Sequence, residues 1–166
     1  MQLAAETIIE RGAARGYSHT NTALAWPVFG PRYPDPAATP SLFHVTGFRD
    51  WSRPCEKALR SVCGDAGVDY RIGYEHLDPD ILGAIWDDLA GATWVVADVT
   101  LLNPNAVLEL GIAHALGKPT LVISQTQHVT RHLPALAKVR SVSYSTDAAG
   151  LAALADRVRR FVSSRR

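Results

Sequence analysis

The sequence predicts an α/β domain: a five-stranded parallel sheet in the flavodoxin-like order 2-1-3-4-5, with helices on both faces and an N-terminal arm. Three observations predict it. Short apolar runs alternate with helical stretches five times over residues 41–166, the signature of a parallel sheet covered by helices. The central run, Thr93-Trp94-Val95-Val96-Ala97, is apolar nearly throughout, as a strand covered on both faces should be. No Gly-x-Gly-x-x-Gly follows any strand, which disfavours the six-stranded dinucleotide fold.

Each element has its own reason. Residues 42–46 form a first apolar strand. The stretch 53–66 is helical, with Ala58, Leu59 and Val62 on one face. Residues 68–72 read as a second strand. A helix over 79–90 starts at Pro79, a residue suited to the first turn, and carries Ile81, Ile85 and Leu89 at i, i+4 and i+8. Residues 93–97 are the third strand. A helix over 105–116 is closed by Gly117, a good residue just past a helix end. Strands at 120–124 and 139–144 flank a weak helix near 131–137, which Pro134 interrupts. A last helix over 147–162 places Leu151, Leu154, Val158 and Phe161 on one face.

Residues 1–40 differ from the rest. A short helix is expected over 3–14, and five of the ten prolines fall between Pro27 and Pro40, which marks a linker or extended arm. Trp26, Val28, Phe29 and Tyr33 make it apolar enough to pack on the domain or on a neighbouring subunit. The organisation expected is an arm over 1–40 and an α/β domain over 41–166.

Composition narrows the function. The 166 residues hold 47% hydrophobic and 20% charged side chains, with a formal net charge of +1. That profile is globular and exerts no global pull on nucleic acid or an anionic membrane. No apolar run approaches the roughly 20 residues of a membrane helix, and the first residues lack the pattern of a secretory signal. Cys55 and Cys63 lie on one predicted helix, too far apart for a disulfide. No Cys/His cluster suggests zinc. The expectation is a cytoplasmic protein with no metal and no cofactor, binding neither nucleic acid nor membrane.

In a sheet of this order, ligands bind beyond the carboxyl ends of the strands, where the first and third part company. The rule selects the loop Gly47-Phe48-Arg49-Asp50-Trp51 and the loop running from Asp98 to Asn105. The helix after the second loop is apolar nearly all round and is expected to be buried. Glu109 and His114 are its only ionisable residues before Lys118. A buried ionised carboxylate is costly unless something pairs with it. A capping box does not explain Glu109, since its acid stands at N3. That position is Leu108 if Asn105 is the cap, and Ala106 if Asn103 is the cap with Pro104 at N1. A buried ion pair with an arginine is one remaining explanation. The other is a carboxylate facing the cleft, kept ionised by the positive helix end. His114 and His44 read as satisfied core histidines.

These residues also carry a resemblance. Ala97-Asp98-Val99-Thr100, then Asn103-Pro104-Asn105 and the run through Glu109-Leu110-Gly111 to Gly117-Lys118-Pro119, together with Leu42-Phe43-His44-Val45-Thr46-Gly47-Phe48, resemble the nucleoside 2-deoxyribosyltransferase-like superfamily over residues 41–144. That superfamily is related in fold to TIR-type domains, some of which cleave NAD. The resemblance implies cleavage or transfer at the N-glycosidic bond of a nucleoside or nucleotide, with Glu109 as nucleophile. Asp88 is the nearest match to an assisting aspartate. It also implies a homo-oligomer, since the transferases borrow site residues from a neighbour. The chain has no clear counterpart of the aromatic and amide set that grips the nucleobase in those enzymes.

The chemistry fits these residue types. Breaking a bond between a ribose carbon and a base nitrogen builds positive charge on the sugar, which a carboxylate stabilises or captures. Asp88 and Asp98 are candidates for orienting or protonating, although an acid at a strand end also commonly binds loop amides. Phe48 and Trp51 are candidates for stacking on a base. Thr46 and Gly47 could let backbone amides approach a phosphate or ribose hydroxyl. Asn103 and Asn105 would shape the loop and cap the helix, with ligand contact as a second role. The alternatives are a TIR-like NAD-cleaving domain and a nucleotide-sensing domain without turnover. A phosphorelay receiver is rejected because the first strand ends in His44-Val45-Thr46-Gly47 without an acid. A flavodoxin lacks its hydroxyl-rich phosphate loop here.

Overall fold

A computed structural model describes residues 38–47, 50–73, 81–126 and 141–164, all within the unit Arg32–Arg166. Residues 1–37 of the arm expected over 1–40, the helix expected at 131–137, Pro79 and Phe48 lie outside the described residues.

Five strands form one sheet: β1 (Ser41–Val45), β2 (Asp69–Ile72), β3 (Trp94–Asp98), β4 (Thr120–Gln125) and β5 (Ser141–Tyr144). Their order is β2-β1-β3-β4-β5, and every neighbouring pair is parallel. The predicted topology is the one observed. β1 and β3 are buried along their whole length, because helices cover both faces of the sheet centre. The edge strands β2 and β5 expose alternate residues. Asp69 and Arg71 on β2 place charge at an edge that would otherwise invite further pairing.

Four helices are described: α1 (Arg53–Ala66), α2 (Ile81–Gly91), α3 (Pro104–Ala115) and α4 (Ala148–Ser163). α1 buries Cys55, Leu59, Val62 and Cys63, and α4 buries Leu154, Val158 and Val162. Together they cover the face that carries Leu42, Trp94, Val96 and Ile123. The opposite face carries Phe43, Val45, Val95, Ala97 and Val122, packed with Leu89 of α2 and with Ala106, Leu110 and Ala113 of α3. The period-2 alternation along β1 and β3 sorts these residues between the two layers. α1 stops at Gly67, whose φ of 65° is a left-handed conformation that glycine adopts without steric cost. Lys118 Nζ closes the end of α2 by donating to the carbonyls of Ala90 (2.5 Å) and Ala92 (3.0 Å). Cys55 and Cys63 are both free and buried.

Two expectations are corrected. α3 is not buried all round: Leu108 is 64% exposed, and Gly111, His114 and Ala115 face solvent. The helix lies on one face of the sheet, so only its Ala106, Leu110 and Ala113 stripe is sealed. His114 is therefore a surface residue in the last turn of the helix, where a cation is favoured. His44 is buried but half satisfied. Its Nδ1 shares a 2.7 Å hydrogen bond with the Tyr70 hydroxyl, while Nε2 has no partner among the described residues. Burial, helped by the nearby Arg60, lowers its pKa to about 3, so it is neutral at physiological pH.

Candidate functional site

The chain after β1 and the chain after β3 meet at the carboxyl edge of the sheet. Thr46 and Gly47 are both buried, and a Cβ on Gly47 would lie 2.9 Å from Asn103 Nδ2. A larger residue there would push on the Asn103 side chain, which packs against the backbone of the β1 turn. Asn103 also caps α3: its Oδ1 accepts from the amides of Asn105 (3.0 Å) and Ala106 (3.2 Å), with Pro104 in the first turn. Of the two capping registers the sequence allows, the structure takes the one with Asn103 as cap. Asn105 is exposed.

Glu109 sits in the second turn of α3. Ala106, Leu110 and Ala113 point at the sheet, so helical periodicity places Glu109 on the flank of that stripe, on the same side as Asn105. Its side chain is half-buried, with no hydrogen-bond or ion-pair partner among the described residues. Neither a cap nor an arginine holds it. Burial alone raises its pKa from 4.5 to about 7. This corrects the expectation of a carboxylate kept ionised by the helix end. The dipole effect falls off within the first turn, and Glu109 lies beyond it. A carboxyl balanced near neutral pH can act as nucleophile when ionised or as proton donor when not.

The other sequence candidates fall in different places. Asp88 is near the end of α2, held by Arg71 Nη1 at 2.7 Å. Arg71 is itself shared with Asp69 at 2.8 Å. Asp98, at the end of β3, is fully buried. Its Oδ1 accepts from the Thr100 amide (3.0 Å) and hydroxyl (2.5 Å), and its Oδ2 accepts from the Tyr144 hydroxyl (2.5 Å). Burial raises its pKa while these bonds pull the other way. Asp98 thus takes the loop-binding position that acids at strand ends commonly hold. Trp51 is half-buried in a short turn, Asp50–Ser52, and its carbonyl accepts from Gln125 Nε2 at 3.4 Å.

Sequence reasoning missed Thr100, Gln125 and Tyr144. Thr100, two residues after Asp98, offers a spacing from which an Asp–amide turn could have been read. Tyr144 carried no signal, because only the pleated sheet carries its hydroxyl beneath β4 to reach β3. The loop holds a further feature: Leu101 and Leu102 have φ of 59° and 50°, consecutive left-handed residues that sequence gives no reason to expect.

Two clefts formed by described residues lie elsewhere. One, of about 460 Å³, is lined by Ala38, Thr39, Gly67, Val68, Asp69 and Arg71. The other, of about 270 Å³, lies between α1 and α4. The loops that follow β1, β2 and β4 include residues 48–49, 74–80 and 127–140, outside the described residues.

Among solved structures, that of Clostridium botulinum CMP N-glycosidase, BcmB, is similar to this chain, with a TM-score of 0.53 and 15% sequence identity. The likeness covers 71% of this chain and 97% of that one, and at this identity it is a likeness of fold. No family model and no curated protein matches the sequence.

Proposed function

We propose that this chain cleaves or transfers at the N-glycosidic bond of a nucleoside or nucleotide, with Glu109 as the nucleophile. The observation that carries the reading is the half-buried, unpartnered Glu109 carboxyl, on the helix whose cap packs against the turn after β1. The fold shared with a CMP N-glycosidase supports it, with a nucleoside monophosphate as the first substrate to test. In this mechanism a Glu109 oxygen bonds to the anomeric carbon as the bond to the base breaks. The electron pair goes to the base nitrogen, which is then protonated. Water, or a second base, attacks the same carbon and frees the carboxylate.

The test is chromatography of CMP, other nucleoside monophosphates, deoxynucleosides and NAD after incubation with the protein, scored for free base. Glu109→Gln is expected to lower release at least about a thousand-fold with an unchanged circular dichroism spectrum. Attack requires the ionised carboxyl, and its pKa is about 7. Release should therefore rise with pH through neutrality and level off near pH 8. Persistent release by the variant would remove Glu109 from the chemistry. Absence of release by the parent protein on every substrate would remove the enzymatic reading.

A further inference from the structure

The loop that precedes the Asn103 cap adopts a conformation its own residues disfavour. Leu101 and Leu102 both take left-handed φ, where a Cβ crowds the following carbonyl. Neither is Gly, Asn or Asp. Leu101 is 59% exposed, so side-chain burial does not hold it there. Such conformations persist where the surroundings over-determine them, and the surroundings here can be named. Asp98 accepts the Thr100 amide and hydroxyl on one oxygen and the Tyr144 hydroxyl on the other. The Gln125 amide donates to Thr100 Oγ1 at 2.9 Å. Val99 N–H donates to Ile123 at 3.0 Å, and Leu102 N–H donates back to Val99 at 2.9 Å. Every one of these bonds fixes residues 98–102, and the next residue is the cap that lies on Gly47.

We infer that Asp98, Thr100, Gln125 and Tyr144 form a buried clamp that holds the Leu101-Leu102 turn and so sets the start of α3, which makes Tyr144 a positioning residue for the chemistry at Glu109. The catalytic half of this inference rests on the reading of Glu109 given above; the clamp itself does not. Tyr144 reaches Asp98 from β5, across β4. Its hydroxyl ties the outer edge of the sheet to the loop at the switch point.

The test compares Tyr144→Phe, which keeps the buried ring and removes one hydroxyl, with Thr100→Val and Thr100→Ser. Backbone amide exchange is followed by mass spectrometry on the full chain. In Tyr144→Phe and Thr100→Val, exchange over residues 99–106 is expected to quicken at least about tenfold while β1, β4 and α4 keep their parent rates. Thr100→Ser, which retains the hydroxyl, should exchange as the parent does. Base release should show kcat reduced about 10- to 100-fold in the first two variants, with KM changed less than about threefold. Unchanged exchange in the loop, or a uniform rise across the sheet, would overturn the clamp. Faster loop exchange with an undiminished kcat would overturn the positioning role. If the parent releases no base, the catalytic half falls with the enzymatic reading, and the exchange pattern still decides the clamp.

Discussion

At the end of β3 the Asp98 carboxyl accepts three hydrogen bonds, whereas in the second turn of α3 the Glu109 carboxyl accepts none from the described residues. Both acids belong to the short segment that crosses the carboxyl edge of the sheet, and burial pushes both pKa values up. At Asp98 donors from Thr100 and Tyr144 counter that push. At Glu109 nothing does. An acid furnished with donors on both oxygens has its capacity spent on holding the chain. An acid left half-buried and bare keeps an unfavourable solvation that reaction with an electron-poor carbon would relieve. The comparison gives Asp98 a structural task and leaves Glu109 without a structural partner among the described residues, which supports the role proposed for it.

Substitution at Asp98 is the most severe test on the structural side. Asp98→Ala leaves two hydroxyls and an amide buried without their acceptor, and it is expected to lower stability by about 3–4 kcal/mol in urea titration. A loss below about 1 kcal/mol would mean that the network can be dispensed with.

The contrast sharpens when the same measurement is made at Glu109. Its folded-state pKa is raised from 4.5 to about 7, so the native protein holds that proton more tightly than the unfolded chain does. The resulting stabilisation is fully present below about pH 4.5 and is lost as the pH rises through about 7. Glu109→Gln removes the ionisation. The variant should match the parent at pH 4 and exceed it by about 1–2 kcal/mol at pH 8, after allowance for partial exposure. A gain in stability together with a loss of base release is the pattern of a site group. A loss in both would place Glu109 beside Asp98 as a structural acid.

The smallest expected effect concerns the turn between the two. Leu101→Gly suits a φ of 59° and should leave stability within about 0.5 kcal/mol. The β-branched Leu101→Val should cost about 1 kcal/mol. Equal stabilities in the two variants would show that the turn relaxes to another conformation when substituted.

Much of this was legible in the residues. The alternation of Leu42–Val45, Val95–Ala97 and Leu121–Ser124 with helical stretches is enough to order the strands. Asn103 and Glu109 stand out because polar residues interrupt an apolar segment, and Pro104 because it suits a first helical turn. What was misread follows one pattern. α3 looked buried all round from its composition, yet Leu108 is open. His114 looked internal and is exposed. In each case the missing fact was which surface of an element faces another element, and composition carries no such information.

By itself the sequence determined the topology of this protein and singled out Glu109 as an acid that no capping box explains, because periodicity and short-range capping act between near neighbours along the chain. Only the tertiary structure decided which acid is bonded and which is bare. The donors to Asp98 include a tyrosine two strands away, and the desolvation of Glu109 comes from the packing of a whole helix flank, both set by contacts that exist only once the sheet is assembled.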